Sequence, residues 1–138
     1  MNNNLKLVIL TPSGIYLEKE IYSISCKSEE GEIEILSFHS EYLANLEISI
    51  IKIINLDETI EEYSIGGGAI HVIASLNEVK LIVGSINSAS SIDLEIAKKN
   101  KKYLEEKLEN NLSTSEHKNV ERELKKTINN INLKEGKK

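Results

Sequence analysis

Three histidines, one cysteine, a glycine triplet and a basic helix stretch are the residues of this chain whose types and spacing could do chemistry. His39 follows Leu36-Ser37-Phe38 in a segment with loop character, and a lone loop imidazole serves as a surface hydrogen-bonding group more often than as a ligand or base. His71 falls in a strand-like run and His117 in a helix-like one. No set of His, Cys, Asp and Glu has metal-ligand spacing. Cys26 alternates with polar residues and reads as a small core side chain. As the single cysteine it has no partner for an internal disulfide, which fits a reducing compartment. The sequence has no Gly-x-Ser-x-Gly elbow and no defensible Cys–His arrangement. Gly66-Gly67-Gly68 resembles a phosphate loop, but a phosphate cradle needs glycines that feed a helix N-terminus. Here Ala69 to Ala74 reads as a strand, so the glycines are expected to mark a bulge or a close approach of backbones. The reading is a chain without catalytic groups, metal or cofactor, one that works by binding partner proteins.

Lys118, Arg122, Lys125 and Lys126 remain. Their spacing on a helix puts Lys118, Arg122 and either Lys125 or Lys126 on one face. That face is either a solvated surface balanced by Glu121 and Glu123 or an electrostatic dock for an acidic segment of another protein, weakened by salt.

The elements that position these residues fall into two kinds. Leu5–Leu10 is a β-type run closed by the turn Thr11-Pro12-Ser13-Gly14. Ile21–Cys26 alternates with Tyr22, Ile24 and Cys26 on one face. Glu32-Ile33-Glu34-Ile35 alternates again, with the isoleucines inward. Leu46–Leu56, Ile60–Ile65, Ala69–Ala74 and Val79–Ile86 supply further strands, and short strands with close turns indicate a sandwich or flattened barrel. Near residue 88 the period changes to that of a helix. Ser90 with Asp93 and Ser113 with Glu116 have the pattern of capping boxes. Ile92, Ile96, Leu104 and Leu108 form one narrow stripe, interrupted by Asn100, and Val120, Leu124, Ile128 and Ile131 form another. The expected fold is α+β, with a β-sandwich over residues 1–88 and a C-terminal αα-hairpin over 89–138 whose narrow stripes make it marginal alone.

Composition agrees. With 40% hydrophobic and 28% charged residues the chain is of globular type, and 4% aromatic residues leave no stacking platform for bases. A net charge of −5 argues against nucleic-acid binding. No signal-like leader and no apolar run of about 20 residues is read, so direct membrane insertion by a helix is not expected. The charge is divided unevenly. Residues 1–89 hold 5 Lys against 13 acidic residues, a net −8, and residues 90–138 hold 12 Lys and Arg against 9, a net +3. An acidic front and a basic tail suggest two surfaces with different partners.

Taken in order, Thr11-Pro12-x-Gly14, Glu20-Ile21, Gly31-Glu32-Ile33-Glu34-Ile35-Leu36-Ser37-Phe38-His39, Gly67-Gly68-Ala69-Ile70-His71-Val72 and Ile92-Asp93 resemble the epsilon subunit of bacterial F-type ATP synthase. The resemblance spans nearly the whole chain, although Glu34 and Ser37 stand where the family has glycine and proline. It implies a sandwich of about ten strands followed by a mobile two-helix domain. The implied role is that of a non-catalytic central-stalk subunit, peripheral on the cytoplasmic face of the cell membrane. Its implied partners are the gamma subunit, the c-ring and the α and β subunits of the catalytic hexamer. Such a subunit couples ion flow to ATP synthesis, and in many bacteria its helices inhibit ATP hydrolysis. By position, Glu32 and His39, with Phe38 beside them, fall where the family contacts gamma and the c-ring. Lys118, Arg122, Lys125 and Lys126 fall in the helix that faces an acidic segment of a β subunit. Some members bind ATP through Ile/Leu-Asp-x-x-Arg-Ala. Here Ile96 stands in the arginine position of Ile92-Asp93-Leu94-Glu95-Ile96-Ala97 and offers no donors. Asp93 is therefore expected to be a helix-terminal charge instead of an ATP ligand. A free-standing ATP-sensing regulator is the alternative reading, and Ile96 counts against it.

Overall fold

The computed structural model describes residues 4–136, so the outermost residues of the two expected domains, 1–3 and 137–138, lie outside the described residues. Eight strands precede two helices: β1 (Leu5–Thr11), β2 (Gly14–Ile21), β3 (Ser23–Ser28), β4 (Gly31–Leu36), β5 (Tyr42–Ile54), β6 (Ile60–Ile73), β7 (Glu78–Val83), β8 (Ile86–Ser88), α1 (Leu94–Leu108) and α2 (Thr114–Glu135). The expected turn joins β1 to β2, with Thr11 Oγ1 accepting from Ser13 N at 3.2 Å and Gly14 at φ +120. Gly31, at φ +128, makes the β3–β4 turn, where the Ser28 hydroxyl donates to its carbonyl at 2.8 Å.

The strands run β2-β1-β7-β6-β5-β3-β4, with β8 also on β6. All pairs are antiparallel except β1 with β7, registered from Lys6↔Glu78 to Leu10↔Ile82. The strand count differs from the expected ten because β5 and β6, at 13 and 14 residues, each run through both layers. Ile60–Ile65 and Ala69–Ala74, read as separate strands, are the two halves of β6 joined through the glycines. The first half takes β8 and the second takes β7. Val79–Ile86, read as one strand, is interrupted at Gly84-Ser85 while keeping a single register against β6.

This folded-over sheet encloses one core. Leu5, Leu7, Ile9, Ile70, Val79 and Leu81 meet Ile24, Ile35, Ile51, Ile53 and Ile65 in one buried cluster. Each such side chain contributes about 1.5–3 kcal/mol. Cys26 belongs to it, and burial pushes its thiol up to about 12, so it is a protonated core residue. Ile35 is fully buried and Ile33 packs against the core, as the alternation requires. Tyr22 does not share the inward face of Ile24. It lies between β2 and β3, where the chain crosses layers, with its ring exposed and its N–H donating to Ile54 O at 2.9 Å.

One polar cluster ties the β2 edge to β6. Lys19 pairs with Glu61, whose other oxygen accepts from Tyr63 Oη at 2.7 Å, while Tyr16 meets the Tyr63 ring edge-on at 5.8 Å. Lys19, with help from Asn55 and Tyr63 and against the cost of burial, holds the Glu61 carboxyl below its ordinary 4.5. A depressed carboxylate stabilises the fold above its unfolded value, and that contribution is lost as the pH falls through the lower folded value. Glu61→Gln is therefore expected to lower stability at neutral pH by about 1 kcal/mol, the scale of a partly exposed pair. The variant and parent should converge in acid, as thermal melts across that range would record.

The helices start where their caps lie. Asp93, and not Ser90, is the N-cap of α1, its carboxylate accepting from Ile96 N at 3.1 Å. Ser90 sits one turn earlier in a 3-10 turn, Ala89–Ser91. Ser113 caps α2 as expected, accepting from Glu116 N at 3.3 Å and donating to the Glu116 carboxylate at 3.0 Å. Leu104, Val120 and Ile131 are buried, but Ile96 and Ile128 of the expected stripes are exposed. Thr127 is buried instead. It accepts from Asn100 Nδ2 at 3.2 Å, so the residue read as an interruption is a satisfied inter-helix contact.

The hairpin lies against the sandwich through α2. Asn129 Nδ2 donates to Ser49 O at 2.7 Å and to Ser64 Oγ at 2.8 Å, and the Ser64 hydroxyl donates to Asn130 Oδ1 at 2.6 Å. Lys134 Nζ adds a bond to Ala89 O at 3.0 Å. The C-terminal half of α2 is thus held by short polar contacts. α1 reaches the sandwich mainly through α2.

Candidate partner-docking surfaces

The residues that could do chemistry gather on two surfaces. The first is the end of the sandwich where β4 and β6 finish and β1, β5 and β7 begin. Phe38 caps the β4–β5 loop at φ +64, a left-handed conformation for which a bulky residue needs outside support. Asn77 supplies it, its Oδ1 accepting from Phe38 N at 2.6 Å while its Nδ2 donates to Asn4 O at 3.1 Å. Glu41 ties down the other side of the loop. It accepts from Ala74 N at 2.7 Å and pairs with His71 Nε2 at 3.3 Å, and these contacts hold its carboxyl below the ordinary range, the Ala74 bond most strongly. His39 sits edge-on to Tyr42 at 6.1 Å. Its Nδ1 lies 2.8 Å from Ser40 O, a carbonyl that can only accept, so in the neutral ring Nδ1 carries the proton and Nε2 is the acceptor.

The Phe38 ring is held outward by this scaffold and is 67% exposed. Leu36, Leu43 and Leu76 are exposed at the same end. Sequence reasoning found Phe38 and His39 but missed these leucines and the supporting Asn77 and Glu41. An apolar Leu76 in the turn Ser75-Leu76-Asn77-Glu78 was the available signal. Glu32 does not join them. It lies opposite Lys27 of β3 in the strand register, at the far end of β4 and about 13 Å along the strand from Leu36. There it borders a cleft of about 480 Å³ beneath the C-terminal half of α2, together with Lys27, Lys52 and Asn129.

The second surface lies on the N-terminal half of α2. Lys118, Arg122 and Lys125 converge on one face, as their spacing requires, and line a cleft of about 720 Å³ with Glu29, Glu47 and Gly66-Gly67-Gly68. Lys126 instead lines a neighbouring cleft with Gly66, Asn87 and Asn100, 3.5 Å from Glu123. Among the described residues, Lys118, Arg122 and Lys125 make no ion pair, while Glu47 pairs with Lys27 at 3.5 Å and Glu121 with His117 at 2.6 Å.

The remaining candidates have structural occupations. Gly66-Gly67-Gly68 lies within β6, and a Cβ on Gly68 would stand 2.0 Å from Ile82 O, so the close approach read from the sequence is present. Asp93 is the cap of α1. No group of three or more His, Cys, Asp and Glu could hold a metal among the described residues, and no helix there is long and apolar enough to cross a membrane.

Comparison with known proteins supplies independent evidence. Residues 4–89 match the family model described as ATP synthase, Delta/Epsilon chain, beta-sandwich domain. The ATP synthase epsilon chain of Mycoplasma mobile is 32% identical over 134 residues, 96% of this chain and 94% of that protein. The epsilon chain of Bacillus mycoides is 30% identical over 129 residues, 94% of this chain and 95% of that protein. Among solved structures, a chain of the Euglena gracilis mitochondrial ATP synthase, determined as an OSCP/F1/c-ring assembly, superposes with a TM-score of 0.80. That match covers 94% of this chain and 80% of the other at 18% identity, a likeness of fold.

Proposed function

Because the chain belongs to the ATP synthase delta/epsilon family, we propose that its sandwich joins the central stalk to the c-ring while its helical hairpin regulates ATP hydrolysis. The subunit is itself non-catalytic, an accessory chain of a rotary enzyme that makes ATP. In this reading residues 1–88 form the attaching domain, with the gamma subunit and the c-ring as partners. Residues 89–138 form the regulatory domain, which meets the α and β subunits of the catalytic hexamer and faces an acidic segment of a β subunit. The assembly is peripheral to the cytoplasmic face of the cell membrane, where the ring is embedded.

The observation that carries the attachment is the sandwich end built around Phe38. An aromatic ring 67% exposed, in a left-handed loop position braced by Asn77 and flanked by Leu36, Leu43 and Leu76, is a preorganised apolar anchor. His39 adds a ring nitrogen able to accept from a partner's donor. Glu32 serves a separate contact, at the far end of β4.

Phe38→Ser with Leu76→Ser should weaken attachment by about thirtyfold, the effect of losing an interface anchor of about 2 kcal/mol. The sandwich should keep its melting temperature, since both side chains are exposed. The tagged chain would be purified from gently solubilised membranes and its companions quantified. The parent should bring stalk, ring and catalytic subunits in fixed ratio, and the variant should lose them along with ATP-driven ion pumping. Unchanged stoichiometry and pumping in the variant would remove this surface from the interface.

A further inference from the structure

The uneven charge of the chain finds a partner within the molecule. Lys118, Arg122 and Lys125 face Glu29 on the β3–β4 turn and Glu47 on β5 across one cleft, and none of the three cations closes an ion pair among the described residues. Glu121, on the same helix, is engaged by His117, and Lys27 sits beside Glu47 on the sandwich side. The two halves of α2 are therefore held differently. Asn129, Asn130 and Lys134 anchor the C-terminal half through hydrogen bonds of 2.6–3.0 Å. At the N-terminal half, charges of opposite sign face each other across a solvent-filled cleft without an ion-pair contact, an attraction that salt weakens.

We infer that Glu29 and Glu47 form an electrostatic latch for Lys118, Arg122 and Lys125, so that the sandwich competes with an acidic partner segment for the same three cations. The second half of that statement rests on the regulatory reading of the hairpin. The latch itself does not, because it is a property of the isolated chain. Bound to Glu29 and Glu47, the cations are withheld from outside carboxylates. Released, they present one basic face along about two turns of helix.

The test uses the full-length chain with spin labels at Asn45→Cys and Thr114→Cys, one on β5 and one at the start of α2, both exposed. Electron–electron distance distributions report how far the N-terminal end of α2 stands from the sandwich. Added salt should lengthen the distance in the parent. Glu29→Lys with Glu47→Lys should raise the long-distance population about tenfold at low salt, where several attractions become repulsions. In that variant salt should act in the opposite direction and shorten the distance. Adding Lys118→Glu, Arg122→Glu and Lys125→Glu to it should restore the parental distribution. Glu29→Gln with Glu47→Gln, which introduces no charge beside Lys27, should open the hairpin to an intermediate extent. Melting curves would establish that each variant retains the sandwich. Distributions that stay parental in both glutamate variants at every salt concentration would overturn the latch. That failure would leave the stalk reading intact, because attachment is scored on the assembled enzyme through Phe38.

Discussion

Gly68→Ala is expected to destabilise the sandwich by about 3–5 kcal/mol, whereas Gly84→Ala should change stability by less than about 1 kcal/mol. The difference lies in what a methyl group meets. At Gly68 a Cβ would stand 2.0 Å from Ile82 O and 2.9 Å from Val83 Cα, and the residue sits at φ +153, a conformation that L side chains rarely adopt. The obstructing atoms are backbone, so relief requires moving β7 away from β6. That movement would break the pairing that begins at Gly68↔Val83 and continues to Ile73↔Glu78. It would also disturb the parallel pairing of β1 with β7 and the Asn77 support of Phe38 beyond it. At Gly84, two positions along the opposing strand from Ile82, a Cβ would have nothing within 4 Å. Denaturant midpoints of the two variants measure the contrast. Domains of this size are stable by about 5–15 kcal/mol, so the loss at Gly68 is a substantial part of the whole. Equal midpoints would mean that the close approach of β6 and β7 does not exist in solution.

Charge reversal at Lys118, Arg122 and Lys125 should raise ATP hydrolysis by the assembled enzyme by roughly tenfold or more, if each screened contact is worth about 0.5–1 kcal/mol. Assembly should be unaffected, since these residues lie on α2, far along the chain from the Phe38 end. Reversal of Lys126 alone should do little, because it lines a different cleft and pairs with Glu123. The latch adds a second arm with the opposite sign. Glu29→Lys with Glu47→Lys also loosens the hairpin but leaves the cations intact and available, so hydrolysis should fall. Loosening as such therefore cannot account for both results. Hydrolysis rates that do not respond to reversal of the three cations would sink the proposed dock. Steady-state rates measured at two ionic strengths, with subunit stoichiometry checked in each preparation, provide the comparison.

Much of this architecture is legible in the chain because its determinants are local. The Thr11-Pro12-Ser13-Gly14 turn, the inward alternation of Ile33 and Ile35 and the Ser113 cap depend on residues within a few positions of each other. There backbone sterics and side-chain periodicity act without knowledge of the rest. The order of motifs was sufficient for the family. Other features depended on which distant segments become neighbours. The parallel pairing of β1 with β7 joins residues more than seventy positions apart, and through Asn77 it builds the scaffold that holds Phe38 outward. Spacing left Lys125 and Lys126 equivalent as companions of Arg122. They point about 100° apart on the helix, and only the face that α2 lays on β5 and β6 selects Lys125 for the cleft. The same docking leaves Ile128 exposed and buries Thr127 against Asn100. The division into an acidic front and a basic tail was plain in the composition and suggested two surfaces with different partners. Only tertiary structure makes the two parts neighbours as well, and attraction between charges depends on their separation in space, not on their separation along the chain.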